Sequence, residues 1–534
     1  MTHRRRWRLW KTLALLLAVA TCLCGSLTLF AFAAEEEAAD EEYEAKKAAY
    51  RAKIMADDVT TDDFLIGSWV SFYSFDVDSY EYQLDQMVAA GINFNMFPRN
   101  FGSGAMYDAD YWSNVEEQYA KRNMVYQMNG SMNPAHIAVG AEYAADKAHC
   151  VGYHLLDEPG GSALQNVADM VKAYREADAT RYPFVNLLPS YAGEAWLGGT
   201  YYEHVSRFVE LAGAENIEYL SHDYYPFRSG GAVMTGIYAD MEVMRKVAYE
   251  NGKLKTHAFP QSTAWNGTRM PTEDEMRWNV YAYLAYGFKA LSWFNLVCPG
   301  SSDTEGEGFN DSLIYRDGTI RDPELYAFWS ELNWEVRGLS SVLMNLDTAH
   351  AYHTTKSTGG VEYLPDDFFL QVGKGRNEYV ISVMEPKEGD DRYIMIFNKS
   401  YQREANGKFT VAADSDVKWL EYFDPHTGEY IPVEFVDGEL RDTYLPGEGK
   451  LYRLRYDDPP SEAETPAVTE APATEAPETA APETVAPETE ATVETTAELS
   501  DNPPAEGCAS VAGMGAVAVT VAAAAAVALK KKKE

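Results

Sequence analysis

The sequence predicts an α/β fold class, a (β/α)8 TIM barrel followed by a small antiparallel β-sandwich, and three observations carry the prediction. Eight short apolar runs alternate with amphipathic stretches between Asp63 and about Asn345, the size and order of eight strand-helix units closing on themselves. No glycine-rich phosphate turn follows the first run, which disfavours the alternative, a doubly wound open sheet. Beyond residue 345 the pattern changes to short alternating strands bounded by turn residues, as in a sandwich.

In chain order, residues 1–34 read as a secretory signal: a cationic head RRRWRLWK, an apolar run, and the small-residue site Ala31-Phe32-Ala33. An uncleaved anchor is the alternative. Cys22 and Cys24 lack the small-residue setting of a lipobox. An acidic segment, 35–62, leads into the barrel, 63–345.

The strand candidates are FLIGSWVSF, INFNMF, MVYQM, VGYHLL, YPFVNLL, IEYLSHDYY, KLKTHAF and KALSWFNL. Between them lie helical patterns such as SALQNVADMVKAYREAD, where Leu164, Val167, Met170, Val171 and Tyr174 recur at helical spacing behind a Ser162 cap. The sandwich, 346–457, is expected from EYVISVME, YIMIFNKS, KFTVAA, KWLEYFD, PVEFV and KLYRLRY. It braces the barrel or binds sugar weakly.

From 458 to 506, Thr-Glu-Ala-Pro units leave almost no large apolar residues, so this stretch reads as a disordered, extended stalk. The run from 507 to 529 is about one bilayer long, and the basic tail 530–534 places its far end in the cytoplasm. The chain is thus expected on the extracellular face of the membrane or wall. This tail resembles the C-terminal anchors of Gram-positive surface proteins, without an LPxTG signal.

A formal net charge of −37 argues against a nucleic-acid partner and for solubility. With five cysteines, a disulfide framework is not expected, and whether Cys150 and Cys298 pair depends on the fold. His350 and His353 fall beyond the barrel, and no loop has calcium-binding spacing. No metal and no cofactor are predicted.

In such a barrel the chemistry sits at the C-terminal strand ends. Those ends carry Trp69, then Asn95 and Arg99, then Gln127 and Asn129, then Asp157-Glu158-Pro159, Asn186, His222-Asp223-Tyr224-Tyr225, Gln261, and finally Trp293 and Asn295. Aromatic faces beside amides and carboxylates suit a polyol ring, whose C–H face stacks and whose hydroxyls need donors and acceptors. Taken singly each residue has a structural explanation; together they point to carbohydrate. Acids also favour a first helical turn, but Pro159 and two glycines separate this pair from the next helix.

The runs GYHLLDEPG, VNLLPSYA, LSHDYYPF, HAFPQSTAW and YLAYGFKALSWFNL resemble the barrels of clan A glycoside hydrolases and their family 42-like relatives. The resemblance covers Asp63 to about Asn345 and implies that Glu158 protonates the leaving glycosidic oxygen. That clan places a second carboxylate at the end of strand seven, where this chain has Gln261. An amide can be neither nucleophile nor base.

Three repairs remain open. Asp223 could be the second carboxylate, with inversion expected if it stands well apart from Glu158. The loop SSDTEGEGFND could bring Asp303, Glu305 or Glu307 over the site. The adjacent Asp157 and Glu158 also resemble the strand-four pair of chitobiase-type hexosaminidases, which implies substrate assistance by a 2-acetamido group, with Asp157 orienting it. Asp157, Glu158 and Asp223 are therefore the expected catalytic residues, and Trp69, Asn95, Arg99, Asn186, His222, Tyr224, Gln261 and Trp293 the expected sugar contacts. The expected activity is extracellular glycoside hydrolysis; a non-catalytic surface glycan-binding protein is the rival, and an adhesin explains the stalk alone.

Overall fold

The computed structural model describes residues 40–70, 77–98, 109–265, 267–298, 309–315, 318–373 and 375–459. The expected signal, membrane span and basic tail lie outside the described residues, as do all but the first two residues of the expected stalk, and Arg99, Asp303, Glu305 and Glu307. Among the described residues, no helix is long and apolar enough to cross a membrane.

Eight parallel strands close into a barrel: β1 (Leu65–Val70), β2 (Phe94–Phe97), β3 (Val125–Asn129), β4 (Cys150–Asp157), β5 (Tyr182–Leu187), β6 (Tyr219–Asp223), β7 (Lys255–Phe259) and β8 (Ala290–Trp293). Strand β8 pairs back onto β1, Leu65 opposite Ala290. All eight sequence-predicted strands are present. Their side chains alternate between two environments, as period two requires. Leu65, Phe94, Val125, Tyr182, Phe184, Tyr219, Phe259 and Ala290 fill the barrel interior. Ile66, Tyr126, Leu187, Leu220, Ala258 and Leu291 meet the surrounding helices.

Those helices are α2 (Val77–Ala89), α3 (Ala109–Ala120), α4 (Ile137–Ala144), α5 (Leu164–Ala177), the short α6 (Glu194–Leu197), α7 (Tyr201–Ala212), α8 (Ile237–Glu250), α9 (Glu273–Ala285) and α10 (Pro323–Leu343). Helices α7 and α9 begin with reciprocal capping boxes, Thr200 with Glu203 and Thr272 with Glu275, which satisfy first-turn N–H groups. Helix α5 buries the five predicted apolar residues, but Ser162 is not its cap. Its first turn is entered through Ala163, whose N–H reaches the Gly160 carbonyl at 2.8 Å. Gly161 there is required by close approach: a Cβ would lie 2.1 Å from the Leu197 carbonyl oxygen. The loop after β5 is thereby packed directly onto the end of β4.

A helix over 40–56, α1, lies within the acidic N-terminal segment. It docks on α10 through Tyr50, whose hydroxyl donates to the Gly338 carbonyl at 2.8 Å, and through Arg51 and Lys47, both paired with Glu331. The C-terminal domain contains a seven-stranded sheet of β9 (Leu346–His353), β10 (Glu362–Tyr363), β12 (Tyr379–Pro386), β13 (Tyr393–Asn398), β15 (Trp419–Phe423), β16 (Tyr430–Glu434) and β18 (Gly449–Arg455). A three-stranded sheet of β11 (Leu370–Val372), β14 (Ala405–Val411) and β17 (Glu439–Tyr444) completes it. The six predicted strands are present; β9, β10, β11 and β17 are additional, and none has a clean run of alternating large apolar residues. Cys150 and Cys298 are both buried and free, so they do not pair. His353 is buried against the Tyr286 hydroxyl, while His350 is exposed and bonds Glu362.

Candidate active site

The acid pair owes its placement to a bulge in β4. Along the β4–β5 ladder His154 faces Phe184, Leu156 faces Val185 and Asp157 faces Asn186, with the register shifting between His154 and Leu156. His154 points into the barrel, stacking edge-on to Trp69 at 5.1 Å. Plain alternation would send Leu156 inward next. The extra residue instead brings Asp157 into line with Asn186, on the inner face that β5 already uses for Tyr182 and Phe184. Glu158 follows with φ +50°, left-handed for a non-glycine residue, while its N–H donates to the Asn186 carbonyl at 2.9 Å. Such conformations cost on the order of 1 kcal/mol and persist only where the surroundings enforce them.

Strand β6 supplies the third acid. Tyr219, Ser221 and Asp223 share its inner face, and Asp223 is 5% exposed. The carboxyl groups of Glu158 and Asp223 lie within hydrogen-bond reach of each other. Asp223 Oδ1 is buried and receives no N–H or hydroxyl donor. The Tyr225 hydroxyl and the Asn186 amide bond the same carboxyl group and pull its proton affinity back down. The wide separation that would leave room for an inverting water is thus absent between these two groups.

Electrostatics separates the three acids. Burial pushes Asp157 up to about 6, restrained by the Asn186 amide, which donates to its Oδ1 at 3.0 Å. Burial, then the charge of Asp157, pushes Asp223 up to about 8. Burial raises Glu158 well above the usual carboxylate range, and its two acidic neighbours raise it further. Of the three, Asp157 therefore gives up its proton first, while Asp223 and Glu158 hold theirs more tightly.

The other predicted contacts divide by strand face. Trp69 and Asn186 point inward with the acids. Asn95, His222 and Trp293 sit on outward positions: Asn95 donates to the Tyr119 hydroxyl, His222 bonds the Tyr201 hydroxyl, and Trp293 Nε1 donates to Asn333. Each is buried in the helix layer rather than the barrel mouth. Tyr224 is buried and its ring lies edge-on to Tyr191 at 5.0 Å. Gln261 is fully buried and its side chain bonds backbone only: Oε1 accepts from Phe227 N–H, and Nε2 donates to the carbonyls of Thr263 and Arg269. It ties together the loops after β6 and β7 and has no free group for a sugar.

Residues beyond the strand ends also border the acids. Tyr191 and Trp196, in the loop after β5, are 40% and 50% exposed. Trp196 lies over Gly160, and its carbonyl accepts from Gly161 N–H at 2.9 Å. Burial raises the Tyr191 hydroxyl's proton affinity, and the charges of Asp223 and Glu158 raise it further. A solvent-facing aromatic wall, Tyr191 beside the carboxyl groups and Trp196 over Gly160, therefore follows β5. Its sequence signal was two aromatics in a Pro- and Gly-bounded loop after a barrel strand, PSYAGEAWLGG. Among the described residues, no cluster of three or more His, Cys, Asp or Glu side chains is arranged to hold a metal ion.

No protein-family model matches the chain, and no curated protein matches it. Distant likenesses exist among solved structures. A β-galactosidase from Bacillus circulans sp. alkalophilus aligns at 9% identity and TM-score 0.48, covering 74% of this chain and 99% of that one. A family 5 glycoside hydrolase from Bacteroides vulgatus aligns at 12% and 0.45, covering 73% and 88%. An Anoxybacillus α-amylase aligns at 10% and 0.44, covering 75% and 99%. TM-scores below 0.5 leave the question of function to the chain's own residues.

Proposed function

We propose that this chain is a glycoside hydrolase whose proton donor is Glu158 and whose site anion is Asp157. The observation that carries the proposal is the trio of inward-facing carboxyl groups at the C-terminal mouth of the barrel, with burial and mutual repulsion splitting their proton affinities. Glu158 gives its proton to the glycosidic oxygen as the C–O bond breaks, and the aglycone leaves as an alcohol. The positive charge growing at the anomeric carbon is stabilised by the Asp157 carboxylate, directly or through a 2-acetamido group that Asp157 orients. Water then adds to that carbon and returns a proton to Glu158.

Asp223, protonated and hydrogen-bonded to Glu158, sets the donor's proton affinity rather than serving as the base. This differs from the sequence-based preference for Asp223 as second carboxylate, and the reason is its contact with Glu158. Tyr191 and Trp196 offer stacking faces to neighbouring sugar rings. The substrate is an extracellular oligo- or polysaccharide, reached from a stalk-borne, membrane-anchored position.

A second reading has its own support. Gln261 occupies the place of a strand-seven carboxylate and is locked into backbone bonds, as in a barrel that binds glycan without cleaving it. The two readings part on one experiment: product release from oligosaccharides and aryl glycosides by the wild-type chain and Glu158→Gln, beside glycan binding by both. Hydrolysis lost in the variant supports the enzyme; binding by both without hydrolysis supports the binding protein.

A further inference from the structure

Behind Asp157 a line of polar side chains crosses the barrel interior. Asn186 Nδ2 donates to Asp157 Oδ1 at 3.0 Å, and Ser221 Oγ donates to Asn186 Oδ1 at 3.0 Å. Ser221 Oγ also meets His257 Nδ1 at 2.9 Å, and His257 Nε2 meets Ser292 Oγ at 2.9 Å. Asn186, Ser221, His257 and Ser292 are all essentially inaccessible to water. They come from four successive strands, β5 to β8.

The direction of these bonds follows from counting protons. An ionised Asp157 can only accept, so Asn186 presents its amide nitrogen there and its oxygen to Ser221. The single Ser221 proton is then spent on Asn186, so His257 Nδ1 must carry a hydrogen and donate to Ser221. Burial drives His257 to its neutral form, so Nε2 is a bare acceptor and takes the Ser292 proton. Every donor in the line thus runs from β8 toward Asp157.

We propose that Ser292, His257 and Ser221 are positioning residues that lock the Asn186 amide toward Asp157 and so keep Asp157 the site's anion. The inference rests on the reading of Asp157 given above and extends it inward by three residues. Without Ser221 or the His257 donor, the Asn186 oxygen loses its partner, and the amide that bonds both Asp157 and Asp223 loses the contact that holds it from behind. The ionisable groups facing Asp157 are Glu158 on its own strand, and Asp223 and Tyr225 on and after β6. His257 itself faces His154, His222 and Tyr219.

The test uses the full chain with 15N-labelled histidine and 13C-carboxyl-labelled aspartate. Wild-type His257 is expected to show a protonated Nδ1 and a bare Nε2. The Asp157 titration midpoint is expected to rise by about one pH unit in Ser221→Ala and His257→Leu. His257→Asn, whose side-chain amide can restore a donor near the Nδ1 position, is expected to return it toward wild type. A proton on Nε2 in the wild type overturns the proposal, as does a midpoint unmoved in folded Ser221→Ala and His257→Leu. Both readouts are independent of turnover: the expected tautomer and shifts without hydrolysis of any glycoside uphold this inference while the hydrolase reading fails.

Discussion

At the residue scale the site turns on three carboxyl groups that cannot all be ionised together. Sharing one buried mouth makes a second negative charge costly, so protons stay on Asp223 and Glu158 while Asp157, held by Asn186, gives its proton up first. Catalysis should therefore fall as pH drops through about 6, where Asp157 takes a proton, and fall again in alkali as Glu158 loses its own. A pH profile of kcat/KM reads both limbs. Stability has the opposite slope. Asp223 binds its proton more tightly folded, at about 8, than unfolded, near the ordinary aspartate value of 3.8, so its contribution is fully present below about pH 4 and is lost progressively as pH rises from there through about 8. Thermal unfolding of Asp223→Asn should show a gain over wild type at pH 8 and little or none at pH 4. At the aromatic wall, Trp196→Ala should raise KM for oligosaccharides about fivefold, from roughly 1 kcal/mol of lost stacking, with little effect on kcat. Steady-state kinetics on substrates of two lengths checks this.

At the element scale the decisive feature is the bulge in β4 and the left-handed Glu158 that follows it. Strain of this kind is held because the ladder to β5 and the close packing of Gly161 under Leu197 leave the backbone no other course. Glu158→Gly should be more stable than Glu158→Gln by about 1 kcal/mol, since both remove the acid and only glycine relieves the φ. Denaturant unfolding of the two inactive variants measures the difference. The elements themselves were legible: eight short apolar runs became eight strands, and the Asp-Glu pair lies at a strand end as expected. The bulge was not legible, because period two alone assigns Leu156, not Asp157, to the inner face. The same rule explains why Asn95, His222 and Trp293 stood among the expected sugar contacts. A strand end names residues near the mouth, but only register tells which of two neighbours faces it. Gln261 posed a different difficulty, since its backbone partners come from two loops whose convergence no local pattern announces. The Ser221–His257–Ser292 line was hidden for a similar reason: its members are scattered in sequence and met only across the barrel.

At the scale of the whole molecule, the sheet domain and the N-terminal helix brace the barrel from outside. Gly338 in α10 marks the tightest junction: a Cβ there would fall 1.7 Å from the Pro425 carbonyl oxygen, and the Tyr50 hydroxyl bonds its backbone. Gly338→Ala should lower the thermal midpoint despite alanine's better helix propensity, since backbone on backbone cannot yield. The acid cluster lies on a different part of the molecule, so the folded variant should keep wild-type KM. The division into barrel and sheet domain followed from the change of pattern after residue 345, whereas the docked helix within the acidic N-terminal segment did not. Its stability comes from Tyr50, Arg51 and Lys47 reaching α10 rather than from its own composition.

If Glu158 donates a proton to a departing sugar oxygen, the rate lost with it depends on how much the leaving group needs that proton. Hydrolysis rates of wild type and Glu158→Gln would be compared across aryl and alkyl glycosides, 2-acetamido sugars included. A loss of about 10²- to 10⁴-fold is expected for poor leaving groups that need the proton, shrinking markedly for a dinitrophenyl leaving group that does not. Equal losses for both classes, or a wild-type chain that cleaves neither while still binding glycans, would contradict it.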